Sequence, residues 1–181
     1  MKRPPVAARS QTPVYKNRKA PSARRVQDLL ARMTLEEKAE QMMCIWQQKA
    51  ETLVDAQGNF DLPKAKKAFR HGRAPGQVGR PSDAGRGKTA RGMAELTNSI
   101  QRFFLENTRL GIPVIFHEEC LHGHAAPEGT SFPQPIALGS TFDPALVESL
   151  FTMTALEARL RGAHHALTPV VDVAREPRWG R

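Results

Sequence analysis

Three features of the 181-residue sequence predict an α/β fold with parallel strands. Two short apolar runs, VIF at 114–116 and HHALTPVVDV at 164–173, are continuous, as expected of strands buried on both faces. Each follows a stretch with helical periodicity, so helix and strand alternate along the chain. Each also ends in a cluster of polar side chains, and in parallel α/β architectures ligands bind at the carboxyl ends of strands.

Bulk composition fits that class. Apolar residues make up 40% and charged residues 25% of the chain, ordinary for one globular domain with a sizeable core. The formal charge of +9 raises the question of a nucleic-acid partner. Its distribution argues against one. Lys and Arg crowd the first 32 residues and recur over Arg70–Arg91, with no zinc-finger spacing, no aromatic ladder and no GxxG loop between strands. The opening MKRPPVAARSQTP has a basic head without the apolar core of a secretory signal. No stretch approaches the ~20 apolar residues of a membrane span. Periplasmic, secreted and cytoplasmic locations are all compatible with the sequence. Cys44 and Cys120 read as two free, buried thiols.

Taken in order, residues 1–21 are basic and proline-bearing, and they predict an extended arm. A helix begins at Ser22, with Val26, Leu29, Leu30 and Met33 on one face. Thr34 and Glu37 form a capping box for a second helix, whose stripe of Leu35, Ala39, Met42, Met43 and Trp46 reads as core. LPKAKKAFRHG predicts a short helix ending at Gly72. RAPGQVGRPSDAGRG, at 73–87, is too rich in glycine and proline for regular structure. A long helix follows from Thr89 to about Asn107, with Met93, Leu96, Ile100, Phe103 and Phe104 inward. Gly111 and Pro113 end it before the first apolar strand. A polar loop leads to Asp143–Pro144, cap and first-turn proline of a helix that ends at Arg161–Gly162. The second apolar strand comes next, and the chain stops soon after, where a parallel strand would call for a covering helix. Arg181 is therefore expected not to be a natural folding boundary.

The polar clusters carry the candidate chemistry. His117, Glu118, Glu119, His122 and His124 follow the first strand; Asp172, Arg175, Glu176, Arg178 and Trp179 follow the second. A zinc site of the HExxH kind needs histidines four apart on a helix, but here the spacing is five and Gly123 and Pro127 deny the helix. His164 and His165 have nothing to fix them as ligands. Ser131 and Ser140 lack a nucleophile elbow, and Cys120 sits too close to His122 to make a catalytic pair. A sugar pocket suits these side chains better. Carboxylates accept from vicinal hydroxyls, arginine offers a rigid donor fork, and a tryptophan makes an apolar wall for a pyranose ring. Arg175, Glu176 and Arg178 equally fit an ion-pair network that supports the rim. Glu118 and Glu119 cannot be an acid/base pair, because adjacent strand residues point apart and glycosidase carboxyls must face one bond about 5–9 Å apart.

Five ordered motifs then bring in a resemblance: ARMTLEEKAEQM, GQVGRPSD with ELTNSIQRFFLENTRLGIP, RLGIPVIFHEECLHG, SFPQPIALGSTFDPAL and LTPVVDVAREPRWGR. Together they resemble the N-terminal part of glycoside hydrolase family 3, the β-glucosidase and β-xylosidase family, over residues 22–181. The resemblance implies a partial (β/α)8 TIM-like barrel, first strands and helices only, truncated at the carboxyl end. The rest of the barrel and a second α/β domain would lie beyond. It implies a hydrolase: a retaining exo-acting β-glycosidase of carbohydrate metabolism that removes terminal nonreducing glucosyl or xylosyl residues from a β-linked oligosaccharide or aryl glycoside. No cofactor and no metal are implied. By this resemblance Glu119 and Arg178 bind substrate, and His122, Gly123, Asp172, Arg175, Glu176 and Trp179 shape the site. The family's nucleophile and acid/base match no position here, so no catalytic residue is assigned. The isolated chain is expected to be inactive, and a non-catalytic sugar-binding or interaction piece is the alternative reading.

Overall fold

The computed structural model describes residues 12–173 and 175–179. Two compact units divide the chain, residues 1–39 and 40–181. In the first, Val14–Lys16 forms a 3-10 turn and α1 spans Ser22–Arg32. The backbone N–H of Tyr15 donates to Asp28 Oδ2 at 3.0 Å, and Arg25 Nε donates to the Tyr15 carbonyl at 3.0 Å. From residue 12 onward, the stretch expected as an extended arm is thus a turn tied to α1, because Arg25 and Asp28 of that helix engage both backbone groups of Tyr15. The first eleven residues of that expectation lie outside the described ones. Of the apolar face of α1, Leu29 and Met33 are half-buried, while Val26 and Leu30 are 55% and 47% exposed.

The capping box forms as predicted. Glu37 N–H donates to Thr34 Oγ1 at 3.2 Å, and Thr34 N–H donates to Glu37 Oε2 at 2.9 Å, opening α2 at Leu35–Glu40. The helix stops earlier than its apolar stripe suggests. The carbonyls of Glu40 and Met43 accept instead from Gly76 and Gln77, which draws this segment sideways into a sheet. Leu35, Met42, Met43 and Trp46 are consequently exposed, not core. Cys44, expected to be buried, is exposed for the same reason.

The second unit contains β1 (Cys44–Ile45), α3 (Lys49–Thr52), α4 (Leu62–Ala68), β2 (Gln77–Gly79), α5 (Ala90–Asn107) and β3 (Ile115–Glu118). It continues with α6 (Pro135–Gly139), α7 (Pro144–Leu160) and β4 (His165–Ala166). The strands form one parallel sheet in the order β1-β2-β3-β4, the sequential α/β arrangement of a partial (β/α)8 barrel. Ile45 pairs with Val78, Gly79 with His117, and His117 with His165.

β2 lies inside the stretch expected to be loop. Its glycines do not mark irregularity; they permit close approach. A Cβ on Gly76 would sit 1.9 Å from the Gln41 carbonyl oxygen, and one on Gly79 would sit 2.6 Å from His117 Nε2. The main core lies on one side of the sheet, where Leu96, Ile100, Phe103 and Phe104 of α5 pack with Val78 and Phe116. Phe69 joins them edge-on, 4.9 Å from Phe104 between ring centroids. Val114 and Phe116 are buried as expected, but Ile115 is 46% exposed, because α5 covers only one face of β3. β4 is shorter than predicted and pairs only with β3 among the described residues, which leaves Val171 and Val173 exposed.

Candidate functional site

Because the strands are parallel, their carboxyl ends share one edge of the sheet. Trp46 follows β1, Arg80–Asp83 follow β2, Glu119–His124 follow β3, and the segment with Asp172 and Trp179 follows β4. The neighbouring acids at the end of β3 have opposite fates. Glu118 is fully buried; it accepts from Ser82 N–H at 2.9 Å and from Ser82 Oγ at 2.6 Å. His124 Nε2 lies 3.3 Å from Oε2, the same oxygen that Ser82 Oγ reaches, and that ring is also buried. Glu119 is half-buried, and its carboxylate accepts no hydrogen bond among the described residues. Glu118 thus braces the strand end, while the Glu119 carboxylate makes no comparable bond among the described residues. The sequence placed Glu118 in the polar cluster but gave no sign of its brace, because Ser82 is 36 residues away.

His117 stands on the sheet face opposite α5, with Nδ1 2.9 Å from Gln77 Oε1. Burial holds its pKa below the ordinary imidazole value, and the neighbouring His165 adds to the effect. Cys120 is buried, and that burial, reinforced by Glu118 and Glu119, pushes its thiol up to about 11. Thiolate is the reactive form. Burial raises the Cys44 thiol as well, but Cys44 is exposed where Cys120 is buried, so at pH 8 iodoacetamide is expected to alkylate Cys44 faster than Cys120 in the native protein, read by peptide mass spectrometry. Equal rates would contradict the packing of Cys120.

A cavity of about 500 Å³ opens beside this strand end. His122, Asp172 and Trp179 line it together with Gln134, Ile136 and Val170, so three predicted site residues do meet. Gly123 makes the preceding turn possible. Its φ is +104°, and a Cβ there would lie 2.0 Å from the Thr130 carbonyl oxygen. α7 clamps the loop from outside. Arg161 donates to the carbonyls of Pro127 and Glu128 at 2.7 and 2.8 Å, and Glu157 accepts from Thr130 N–H at 3.0 Å. The Thr130 hydrogen bonds hold the Glu157 carboxyl below its usual range. Sequence reading missed both clamps, since Arg161 looks there like an ordinary basic residue at a helix end.

The remaining predicted residues gather less tightly. Arg178 does not line the cavity. Its Nε and Nη2 each donate at 2.8 Å to Glu176, and its side chain is 87% exposed. That is the ion-pair arrangement, confined to one exposed turn. Arg175 is exposed and has no ion pair among the described residues. Among the described residues, no group of three or more His, Cys, Asp or Glu side chains is placed to hold a metal ion. No helix among them is long and apolar enough to cross a membrane.

A parallel α/β sheet in sequential order, with a cavity of mixed apolar and polar lining at its carboxyl edge, defines part of an α/β barrel. The chain belongs to glycoside hydrolase family 3: the model of the glycosyl hydrolase family 3 N terminal domain matches residues 34–181. It is 34% identical over 179 residues to a putative β-xylosidase of Formosa agariphila, covering 95% of this chain and 22% of that protein. It is 33% identical over 187 residues to β-glucosidase C of Emericella nidulans, covering 98% of this chain and 29% of that protein. Among solved structures, a β-glucosidase of Erythrobacter marinus superposes with a TM-score of 0.76 at 32% identity, over 92% of this chain and 21% of that one. The chain thus spans 22% and 29% of the length of these two curated relatives.

Proposed function

We propose that this chain forms the sugar-holding side of a retaining exo-acting β-glycosidase that removes terminal glucosyl or xylosyl units. One observation carries the reading: Glu119, half-buried and with a carboxylate that accepts no hydrogen bond among the described residues, stands at the end of β3. It does not itself line the cavity, but Leu121 and His122, two and three residues on, do, together with Asp172 and Trp179. Relatives described as β-xylosidase and β-glucosidase support the substrate class.

In this reading Glu119 accepts from the hydroxyls of the nonreducing sugar, and Trp179 lies against its apolar face. Arg178, one residue before Trp179, is the second sugar-holding group; Glu176 engages its Nε and Nη2, and the remaining N–H donors of the planar guanidinium are left for the sugar. Gly123 and His122 shape the loop, Asp172 closes the wall, and Arg175 and Glu176 support the rim. The bond-breaking carboxylates are supplied by other parts of the full-length protein. Contacts to the sugar matter most if they strengthen as its ring flattens in the transition state.

The test uses the full-length protein that contains this chain, assayed on aryl β-glucoside and aryl β-xyloside and trapped with an activated fluorosugar. Hydrolysis of at least one substrate and a covalent adduct outside residues 1–181 are expected. An adduct on Glu119 itself, or no hydrolysis of either glycoside, would contradict the reading.

A further inference from the structure

A second polar cluster occupies the carboxyl ends of β1 and β2, away from the cavity described above. Its centre is Asp83. Trp46 Nε1–H donates to Asp83 Oδ2 at 3.1 Å, and Lys49 Nζ lies 3.0 Å from Asp83 Oδ1. Lys49 is nearly enclosed, with its side chain 5% exposed, and its ammonium also donates to the carbonyls of Trp46 and Gly79 at 2.7 and 2.8 Å. The Arg80 guanidinium stands over the Trp46 ring, 5.9 Å from its centroid. Arg80 itself has a left-handed φ of 46°, an uncommon conformation for a residue with a Cβ.

The cluster is sealed on one side and open on the other. The Lys49 cation is buried, yet Asp83 keeps 36% of its side chain exposed and Trp46 is 40% exposed. Both line a separate cavity of about 380 Å³, within the range of small-ligand sites. Asp83 has two protein donors at hydrogen-bond distance and a third, Arg80 Nε, at 3.7 Å, and a carboxylate has about four lone-pair sites, so it keeps acceptor capacity.

Two features tie this cavity to the first. Ser82, the residue before Asp83, is bonded to Glu118, the residue before Glu119. Asp83 ends the 3-10 turn Pro81–Asp83 that follows β2, and Glu119 directly follows β3, the strand hydrogen-bonded to β2. The two cavities nevertheless share no lining residue.

We infer that Trp46 and Asp83, with Arg80 bracing the Trp46 ring, form a second carbohydrate subsite, which holds a further sugar unit of a β-linked oligosaccharide while its nonreducing end occupies the cavity walled by His122, Asp172 and Trp179. The inference rests on the sugar-holding reading of Glu119. Asp83 accepts from ring hydroxyls, Trp46 supplies the stacking face, and Lys49 fixes the orientation of Asp83 from below.

Full-length protein carrying Trp46→Ala, Trp46→Phe or Asp83→Asn is compared with the unsubstituted protein on a β-1,4-linked trisaccharide of glucose or xylose and on the aryl monoglycoside. The ratio of kcat/KM on trisaccharide to kcat/KM on aryl glycoside is expected to fall at least about tenfold for Trp46→Ala and Asp83→Asn. Trp46→Phe, which keeps a ring, is expected to restore most of that ratio. An unmoved ratio, or equal losses on both substrates, would overturn the subsite. If the unsubstituted protein cleaves no β-glycoside, it is the hydrolase reading that fails. Calorimetric titration with the trisaccharide then decides the subsite: affinity weakened about tenfold by Trp46→Ala supports it, and unchanged affinity overturns it.

Discussion

Glu119→Ala in the full-length protein is expected to lower kcat/KM roughly 30- to 1000-fold on whichever aryl glycoside it cleaves. The estimate follows from removing a charged acceptor and leaving sugar hydroxyls unpaired, a loss of about 2–4 kcal/mol. The structure sharpens the expectation. The Glu119 carboxylate accepts no hydrogen bond among the described residues, and the bond from Ala125 N–H goes to its backbone carbonyl, so truncating the side chain strands no protein donor and the fold is expected to survive. Glu119→Asp is expected to be milder and to shift the glucoside-to-xyloside ratio, because the shorter acid leaves a different gap around the sugar. Arg178→Lys is expected to lose almost as much as Arg178→Ala, since an ammonium cannot copy the planar fork. Full efficiency of Glu119→Ala on both glycosides would show that its free carboxylate faces no substrate.

The second large effect is on the loop. Gly123→Ala is expected to destabilise the domain by about 2–6 kcal/mol. About 1–3 kcal/mol comes from a left-handed backbone that alanine resists, and a similar amount from overpacking. The overpacking is specific: the new Cβ would meet the Thr130 carbonyl oxygen at 2.0 Å, and Thr130 is pinned by Glu157 and cannot simply retreat. The loop that presents His122 would move with it. The urea midpoint of the substituted protein should fall clearly, and kcat/KM should fall with it. An unchanged midpoint would mean that the loop adapts more freely than its clamps allow.

Elements built on strong local signals were legible in the sequence. The capping box at Thr34, the inward face of α5 and the Asp143–Pro144 start of α7 depend on neighbouring residues, and all three appear as read. β1 and β2 were not legible. Each is two or three residues long, and each exists because a neighbouring strand lies beside it, so periodicity carries no trace of it. The glycines of β2 look like loop signals until the Gln41 carbonyl and the His117 ring are seen to need the space. The site divides the same way. Position at the end of a strand pointed to Glu119, His122 and Asp172, whereas the Ser82 brace, the Arg161 clamp and the Trp46–Asp83–Lys49 cluster join residues 33 or more apart or depend on a strand that was not predicted.

A crystal structure of the full-length protein with a slowly hydrolysed β-glycoside bound would test the central claim most directly. The account predicts the nonreducing sugar in the cavity walled by His122, Asp172 and Trp179, with a hydroxyl within hydrogen-bond distance of Glu119. A sugar bound elsewhere, with the Glu119 carboxylate facing only water, would contradict it.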